Sequence, residues 1–289
     1  MSNFSLREHI KNAKQKGVAI GHFNISTLDG VWAVADAAHA LGVPVIAVVS
    51  EGEREYVGVE QISAVIASIR RSRNQEIFLN ADHTYSFDKV QKAIDAGFDA
   101  VIFDGAQLSF DENVAITKKC VQYTKQSGRD VIVEGELGYI GTSSKILDSI
   151  PLGAAVKEEQ LTKIDDAVSF VKETNIDLLA PAVGNIHGVV KGGDPNLNIN
   201  RVKEISSAID IPLVLHGASG NTAADIQNSI KNGVAIVHVN TELRIAYRSG
   251  LVSALSSEPD ELSPYKYLKS AKQAMQKVVE EKIKIFNFL

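Results

Sequence analysis

The sequence predicts an α/β fold: a (β/α)8 TIM barrel with an extra C-terminal helix. Three observations carry that prediction. Eight short apolar runs rich in valine and isoleucine recur along the chain. Each is followed by a longer stretch of mixed polarity, and nearly every run ends on a polar or ionisable side chain. Continuous β-rich runs read as strands buried on both faces, and alternation with helices makes such strands parallel. Eight such units in 289 residues fit a closed barrel. Periodicity alone also permits a doubly wound open sheet.

The runs lie at 18–24, 44–50, 77–83, 100–105, 131–136, 178–183, 212–217 and 234–240. Between them, helices are expected at 86–96, 111–126, 164–173 and 222–232. The segments 95–97 and 231–233 end on glycine and read as helix C-caps feeding the next strand. The connections 137–162 and 184–198 are long, which in a compact domain marks functional loops. The tail 264–289 reads as a lysine-rich helix outside the barrel. No low-complexity linker divides the chain, so 1–289 is expected to be one domain.

Bulk properties narrow the function. A formal net charge of −5 without long runs of one sign gives no footprint for nucleic acid or a membrane surface. The single cysteine, Cys120, has no intramolecular partner, which suits a reducing, cytoplasmic setting. The first sixteen residues are polar and charged, unlike a secretory signal. No apolar stretch is long enough to span a bilayer.

The polar strand ends are Asn24, Ser50, Asp82 with His83, Asp104, Glu134 and Glu136, His216, and His238 with Asn240. Packing gives a barrel strand no reason to end this way, whereas the C-terminal strand ends of such barrels form the active-site face. His83, His187, His216 and His238 all fall on that face. Imidazoles suit a divalent transition metal, and three protein ligands with one open position is the catalytic zinc arrangement. No HxxxH or CxxC spacing is present, so the ligands would come from separate strands. His9 and His39 are assigned to helices and His22 to the interior of the first strand, as a satisfied core residue. After the seventh run, Gly217 and Ser219 lie in a turn that opens a helix. Asn240 and Thr241 open another after the eighth. Such turns offer backbone amides to an anion, and barrels often bind phosphate there.

These stretches resemble the class II, metal-dependent fructose-bisphosphate and tagatose-bisphosphate aldolase family over essentially the whole chain. The likeness lies in GHFN near the first strand, ADH at 81–83, FDGAQLSFDEN from Phe103, EGELG from Glu134, GNIHGVVK from Gly184, LHGASG from Leu215 and VNTE from Val239. The resemblance implies a zinc-dependent ketose-bisphosphate aldolase. Such an enzyme cleaves fructose 1,6-bisphosphate or a related ketose phosphate to dihydroxyacetone phosphate and an aldehyde. It implies His83, His187 and His216 as zinc ligands, one ion per subunit. Asp82 is implied as the catalytic acid/base, and Glu136 and Asp104 as carboxylates that hold the metal in an alternative position or support its ligands. Gly188, Lys191, Gly217, Ser219, Asn240 and Thr241 match loops for phosphate and a monovalent cation, Na+ or K+. Asn24 and Ser50 match donor-site polar residues. Family members are homodimers or homotetramers, which the resemblance extends to this chain. No lysine stands at a predicted strand end, which argues against a Schiff-base mechanism.

Three departures stand out. The segment after Gly138 runs Tyr139, Ile140, Gly141, Thr142, Ser143, Ser144, Lys145, with no carboxylate until Asp148, where the family carries acidic residues. Asp148, Glu134 or Tyr139 is then the candidate to move the substrate proton, or the substrate differs. His238 stands where the family usually has asparagine, and its side chain is expected to contact substrate or even the metal. The tail supplies lysines but no arginine for substrate.

Overall fold

A computed structural model describes residues 5–142 and 144–289. The barrel strands are β1 (Ile20–Asn24), β2 (Val45–Val49), β3 (Ile77–Thr84), β4 (Ala100–Phe103), β5 (Ile132–Leu137), β7 (Leu178–Pro181), β9 (Leu213–Leu215) and β10 (Val234–Val239). They are parallel and close when β1 pairs with β10, Ile20 opposite Ile236. Closure removes the open-sheet alternative. The helices are α1 (Leu6–Lys16), α2 (Leu28–Leu41), α3 (Glu51–Val57), α4 (Val59–Arg73), α5 (Phe87–Asp95), α6 (Phe110–Ser127), α7 (Ile164–Thr174), α8 (Ile199–Ala208), α9 (Ala223–Lys231), α10 (Thr241–Ser257) and α11 (Pro264–Asn287). Several predicted strands run a residue or two past the observed ladders. Their last residues leave the sheet to build the mouth.

The long connections are not structureless. Each contributes one strand, β6 (Ile146–Leu147) and β8 (Val189–Val190), to a small parallel sheet beside the barrel mouth. Among the described residues, no helix is long and apolar enough to cross a membrane.

Strand side chains alternate between two environments, as the two-residue period requires. Phe23, Val45, Ala47, Val49, Ile77, Leu79, Val133, Val237 and Val239 pack with the helices in the outer core. Ile20, Ile46, Val48, Phe78, Ala100, Ile132, Leu178, Val214 and Ile236 form a second, inner cluster. Leu6, Ile10 and Ala13 of α1 join this inner cluster, so α1 covers the N-terminal mouth. Two residues along from inner apolar positions come His22, Asn80, Glu134, His216 and His238. Two further come Asn24, Asp82, Glu136 and Asn240. The interior thus grades from apolar to polar along the strands. Only the N-terminal half is closed by hydrophobic packing, and the polar half has to be satisfied by its own network.

The predicted C-terminal helix packs along α10 and α2. Its Phe286 ring stacks on Phe23 at 6.2 Å between centroids, and both rings are fully buried. Gly250 lets α10 and α11 approach closely, since a Cβ there would meet the Ser270 carbonyl oxygen at 2.6 Å.

Candidate active site

The C-terminal mouth of the barrel holds a cavity of about 210 Å³. Asp82, His83, His187, His238 and Asn240 are in its wall. Strand alternation alone would turn His83 outward, because Asp82 already points in. The β3–β4 register slips between Ala81 and Thr84, and His83 takes a φ of +34°. That bulge brings two consecutive side chains to one site. Non-glycine residues in this region of backbone space are rare and costly, and such strain concentrates at functional sites.

The three predicted ligand rings converge. His83 meets His187 edge-on at 4.6 Å and His216 at 5.0 Å, and His187 and His216 are 6.0 Å apart between centroids. Hydrogen-bond partners assign one nitrogen of each ring as a donor. His83 Nδ1 donates to Asp104 Oδ2 at 3.0 Å. His187 Nδ1 donates to the Gly141 carbonyl at 2.6 Å. His216 Nε2 donates to Glu134 Oε1 at 2.7 Å. The opposite nitrogens, Nε2 of His83 and His187 and Nδ1 of His216, are those available to a cation. This is the usual support of a metal-binding imidazole, with its other N–H held by a carboxylate or a backbone carbonyl.

Unpaired buried atoms mark where a cation fits. Asp82 Oδ1, His83 Nε2, Glu134 Oε2 and Glu136 Oε1 lack hydrogen-bond partners. Such atoms cost folding free energy unless something satisfies them. Glu136 and Asp104 flank the Nδ1 side of His83, with Glu136 Oε1 at 3.2 Å and Asp104 Oδ2 at 3.0 Å. The tightest donor sets are Asp82 with His83, His216 and His238; His83 with Asp104 and Glu136; and Glu134 with Glu136 and His216, each within 4.8 Å. His187 belongs to none of them. It stands across from His83 at the outer edge.

The electrostatics follow from burial against paired charge. Burial alone would raise Asp82, but His83 and the surrounding imidazoles hold it below its ordinary value. Burial alone would depress His83, yet Asp82, Glu136 and Asp104 raise it well above the usual imidazole range. Burial, then Asp104, pushes Glu136 up to about 8. Burial, then His83, takes His187 down to about 3. Burial alone would depress His216, yet Glu134 and Glu136 together raise it. His238 falls well below the imidazole range through burial and the neighbouring His216.

The predicted phosphate residues are gathered at one side. Gly188, Gly217, Ser219, Asn240 and Thr241 all line the cavity. Thr241 begins α10, so its first-turn amides lie at the wall. Gly217 has a φ of +59°, and a Cβ there would meet the Ile186 carbonyl oxygen at 2.2 Å. Gly217→Ala is therefore expected to destabilise the protein by about 1–3 kcal/mol, read as a lower urea midpoint with unchanged slope.

Other expectations need correction. Lys191 does not line the cavity; its Nζ pairs with Asp148 at 2.6 Å on the exposed β6–β8 sheet. Asp148 is thereby also removed from the site. Glu134 lies below the mouth and holds His216, and Tyr139 is not in the cavity wall. None of the three candidates for the missing acid lines the cavity. The altered segment contributes Thr142 and Ser144, and Ser144 Oγ accepts from Asn240 Nδ2 at 3.2 Å. Ser143 lies outside the described residues. His22 is in the core as expected but is not fully satisfied. Its Nε2 accepts from Asn80 at 2.8 Å, while Nδ1 has no partner.

Glu53, Arg54, Arg244 and Tyr85 escape a reading of strand ends because they lie on helices or just past the bulge. Ser50 caps α3 with the partly reciprocal support of Glu53, and Glu53 Oε2 also accepts from Asn24 Nδ2 at 2.8 Å. Arg54 is buried behind Asp82, donating to the Val49 and Asp82 carbonyls and to Thr84 Oγ1. Arg244 reaches the cavity from the first turn of α10 and bonds Glu53 Oε1 at 2.8 Å. Tyr85 follows the bulge into the wall. The signal for Arg244 was its spacing of four from Asn240, which puts both on one helix face.

Comparison with known proteins agrees with this geometry. The family described as fructose-bisphosphate aldolase class-II matches residues 4–288. A fructose-bisphosphate aldolase of Staphylococcus aureus is 38% identical over 287 residues, covering 98% of this chain and 96% of that protein. One from Staphylococcus epidermidis is 36% identical over 285 residues, with the same coverage of both chains. Among solved structures, the YdjI aldolase from Escherichia coli K12 superposes with a TM-score of 0.82 at 30% identity. It covers 98% of this chain and 96% of its own.

Proposed function

The chain belongs to the class II fructose-bisphosphate aldolase family, the metal-dependent aldehyde-lyases, and on that premise we propose which reaction and residues are its own. The reaction is reversible aldol cleavage of fructose 1,6-bisphosphate, or of a related ketose phosphate such as the tagatose isomer. Its products are dihydroxyacetone phosphate and an aldehyde such as glyceraldehyde 3-phosphate. The observation that carries this reading is the convergence of His83, His187 and His216 over the buried Asp82 carboxylate.

The donor set favours a divalent cation with nitrogen ligands, zinc first, on His83 Nε2, His187 Nε2 and His216 Nδ1. When bound, such an ion supplies Lewis acidity toward the substrate's ketone and hydroxyl oxygens. The remaining roles fall to the chain. Asp82 keeps its carboxylate charged under the neighbouring imidazoles and is placed to exchange a proton with the aldehyde-derived oxygen. Asn24 Nδ2 holds Asp82 Oδ2 at 3.3 Å, and the other oxygen faces His83 Nε2 and His238 Nδ1. Gly217, Ser219 and the amides opening α10 receive a phosphate, and Arg244 offers a half-exposed guanidinium at the rim. Lys191 has no part in this arrangement.

The test is direct. Zinc-loaded protein is expected to release triose phosphate from a panel of ketose bisphosphates, and chelation is expected to stop the release. Borohydride with substrate is expected to trap nothing. Absence of triose phosphate from every member of the panel would sink the reading.

Cation binding must also expel protons. In the cation-free site His83 is raised and Glu136 stands at about 8. Cation affinity is therefore expected to fall as pH drops and to rise toward about pH 8, with proton release on loading. Chelator-competition titrations across that range measure it.

A further inference from the structure

Inside the polar half of the barrel, His238 faces a ring that already belongs to the proposed cation site. Its Nδ1 lies 2.9 Å from His216 Nδ1. The outer nitrogens of both rings are committed. His216 Nε2 faces Glu134 Oε1, a carboxylate oxygen that only accepts. His238 Nε2 faces Asn24 Oδ1 in a short contact. The Asn24 amide is oriented unambiguously, because its Nδ2 is turned to two carboxylates, Glu53 and Asp82. Both outer nitrogens are therefore donors. As two neutral rings, the facing Nδ1 atoms would present lone pair against lone pair, with no hydrogen bond between them. A shared positive centre satisfies both.

A bridging proton needs two acceptors, and here more converge. Asp82 Oδ1 lies 3.7 Å from His238 Nδ1 and 3.5 Å from His83 Nε2. Asp82 Oδ1 and His83 Nε2 are buried without a hydrogen-bond partner. One donor atom from each of Asp82, His83, His216 and His238 lies within 4.8 Å of the others. Four ligand atoms held about 2.0–2.1 Å from one zinc stand about 3.3 Å apart along the edges of a tetrahedron. The separations of 2.9, 3.5 and 3.7 Å bracket that spacing. All four side chains are buried or nearly so.

We propose that His238 is a fourth protein ligand in this chain, and that the cation rests among Asp82, His83, His216 and His238, inward of His187. This assignment rests on the reading that a divalent cation is held at the mouth. The consequence is a closed set of protein donors at rest, and the three-histidine set of the proposed reaction describes the site once substrate is engaged.

The test begins with the unaltered protein crystallised with zinc, using the anomalous signal at the zinc edge. A peak at about 2.0–2.1 Å from His238 Nδ1 supports the assignment. A peak bonded to His83, His187 and His216 with His238 beyond bonding distance overturns it and leaves the aldolase reading intact. No peak at the mouth overturns both. In solution, His238→Asn is expected to weaken zinc at least about 10-fold in chelator competition and to change the visible spectrum of the cobalt-loaded protein. Unchanged affinity and spectrum in the folded variant would also overturn it.

Discussion

Asp82→Asn is expected to lower kcat for ketose bisphosphate cleavage by about 10²–10⁴-fold, the range for removing a positioned acid/base group. The substitution keeps the shape of the side chain and the neighbour Asn24. It removes the charge that the imidazoles stabilise and the carboxylate proposed to exchange the proton. Asp82 is also one of the proposed cation donors, so metal content has to be measured in the same samples. A variant that loads zinc to stoichiometry and still loses kcat, with KM little changed, has lost an interaction of the transition state. One that loads zinc fully and turns over at the parent rate would remove Asp82 from the mechanism.

Arg54→Met is expected to cost about 3–5 kcal/mol of stability, the range for breaking a buried charged network from one side. Arg54 is 4% exposed. Burial lowers its pKa, and the carboxylates of Asp82 and the α3 glutamates offset part of that. Its hydrogens go to the Val49 and Asp82 carbonyls and to Thr84 Oγ1, which ties the end of β2 to the bulge in β3. Methionine fills much of the volume but leaves those acceptors unpaired, each in a place water does not reach. Chemical denaturation with a fixed slope measures the loss. A shift under 1 kcal/mol would mean that the bulge stands without this clamp.

How far the sequence alone reaches can be followed residue by residue. The eight strands were legible because buried parallel strands leave long β-branched runs, and their polar ends stood out against that background. The convergence of His83, His187 and His216 followed from the barrel, which gathers strand ends from distant parts of a chain. The orientation of His83 was not legible, because it depends on a register slip that no local pattern announces. Glu53, Arg54 and Arg244 were missed because each lies in a helix, where a charged residue ordinarily faces solvent. They reach the site only because α3 and α10 begin at the mouth. Lys191 was misplaced for the opposite reason. A glycine-bearing loop suggested an anion contact, but pairing of β6 with β8 carries the lysine outward to Asp148. His238 reads as a mouth residue from its place near the end of the eighth strand, whereas its facing pair with His216 emerges only from the ring geometry.

The small β6–β8 sheet ties two distant connections into one unit. Val189 and Lys191 donate to the carbonyls of Lys145 and Leu147, while His187 donates from its backbone to Ile140 and from its ring to Gly141. The altered segment after Gly138 therefore sets the aim of a histidine almost fifty residues away. Neither loop can drift independently over evolutionary time. A lineage adapting to a differently shaped sugar must change the two together, so natural diversity in this barrel should appear as matched pairs of loop sequences.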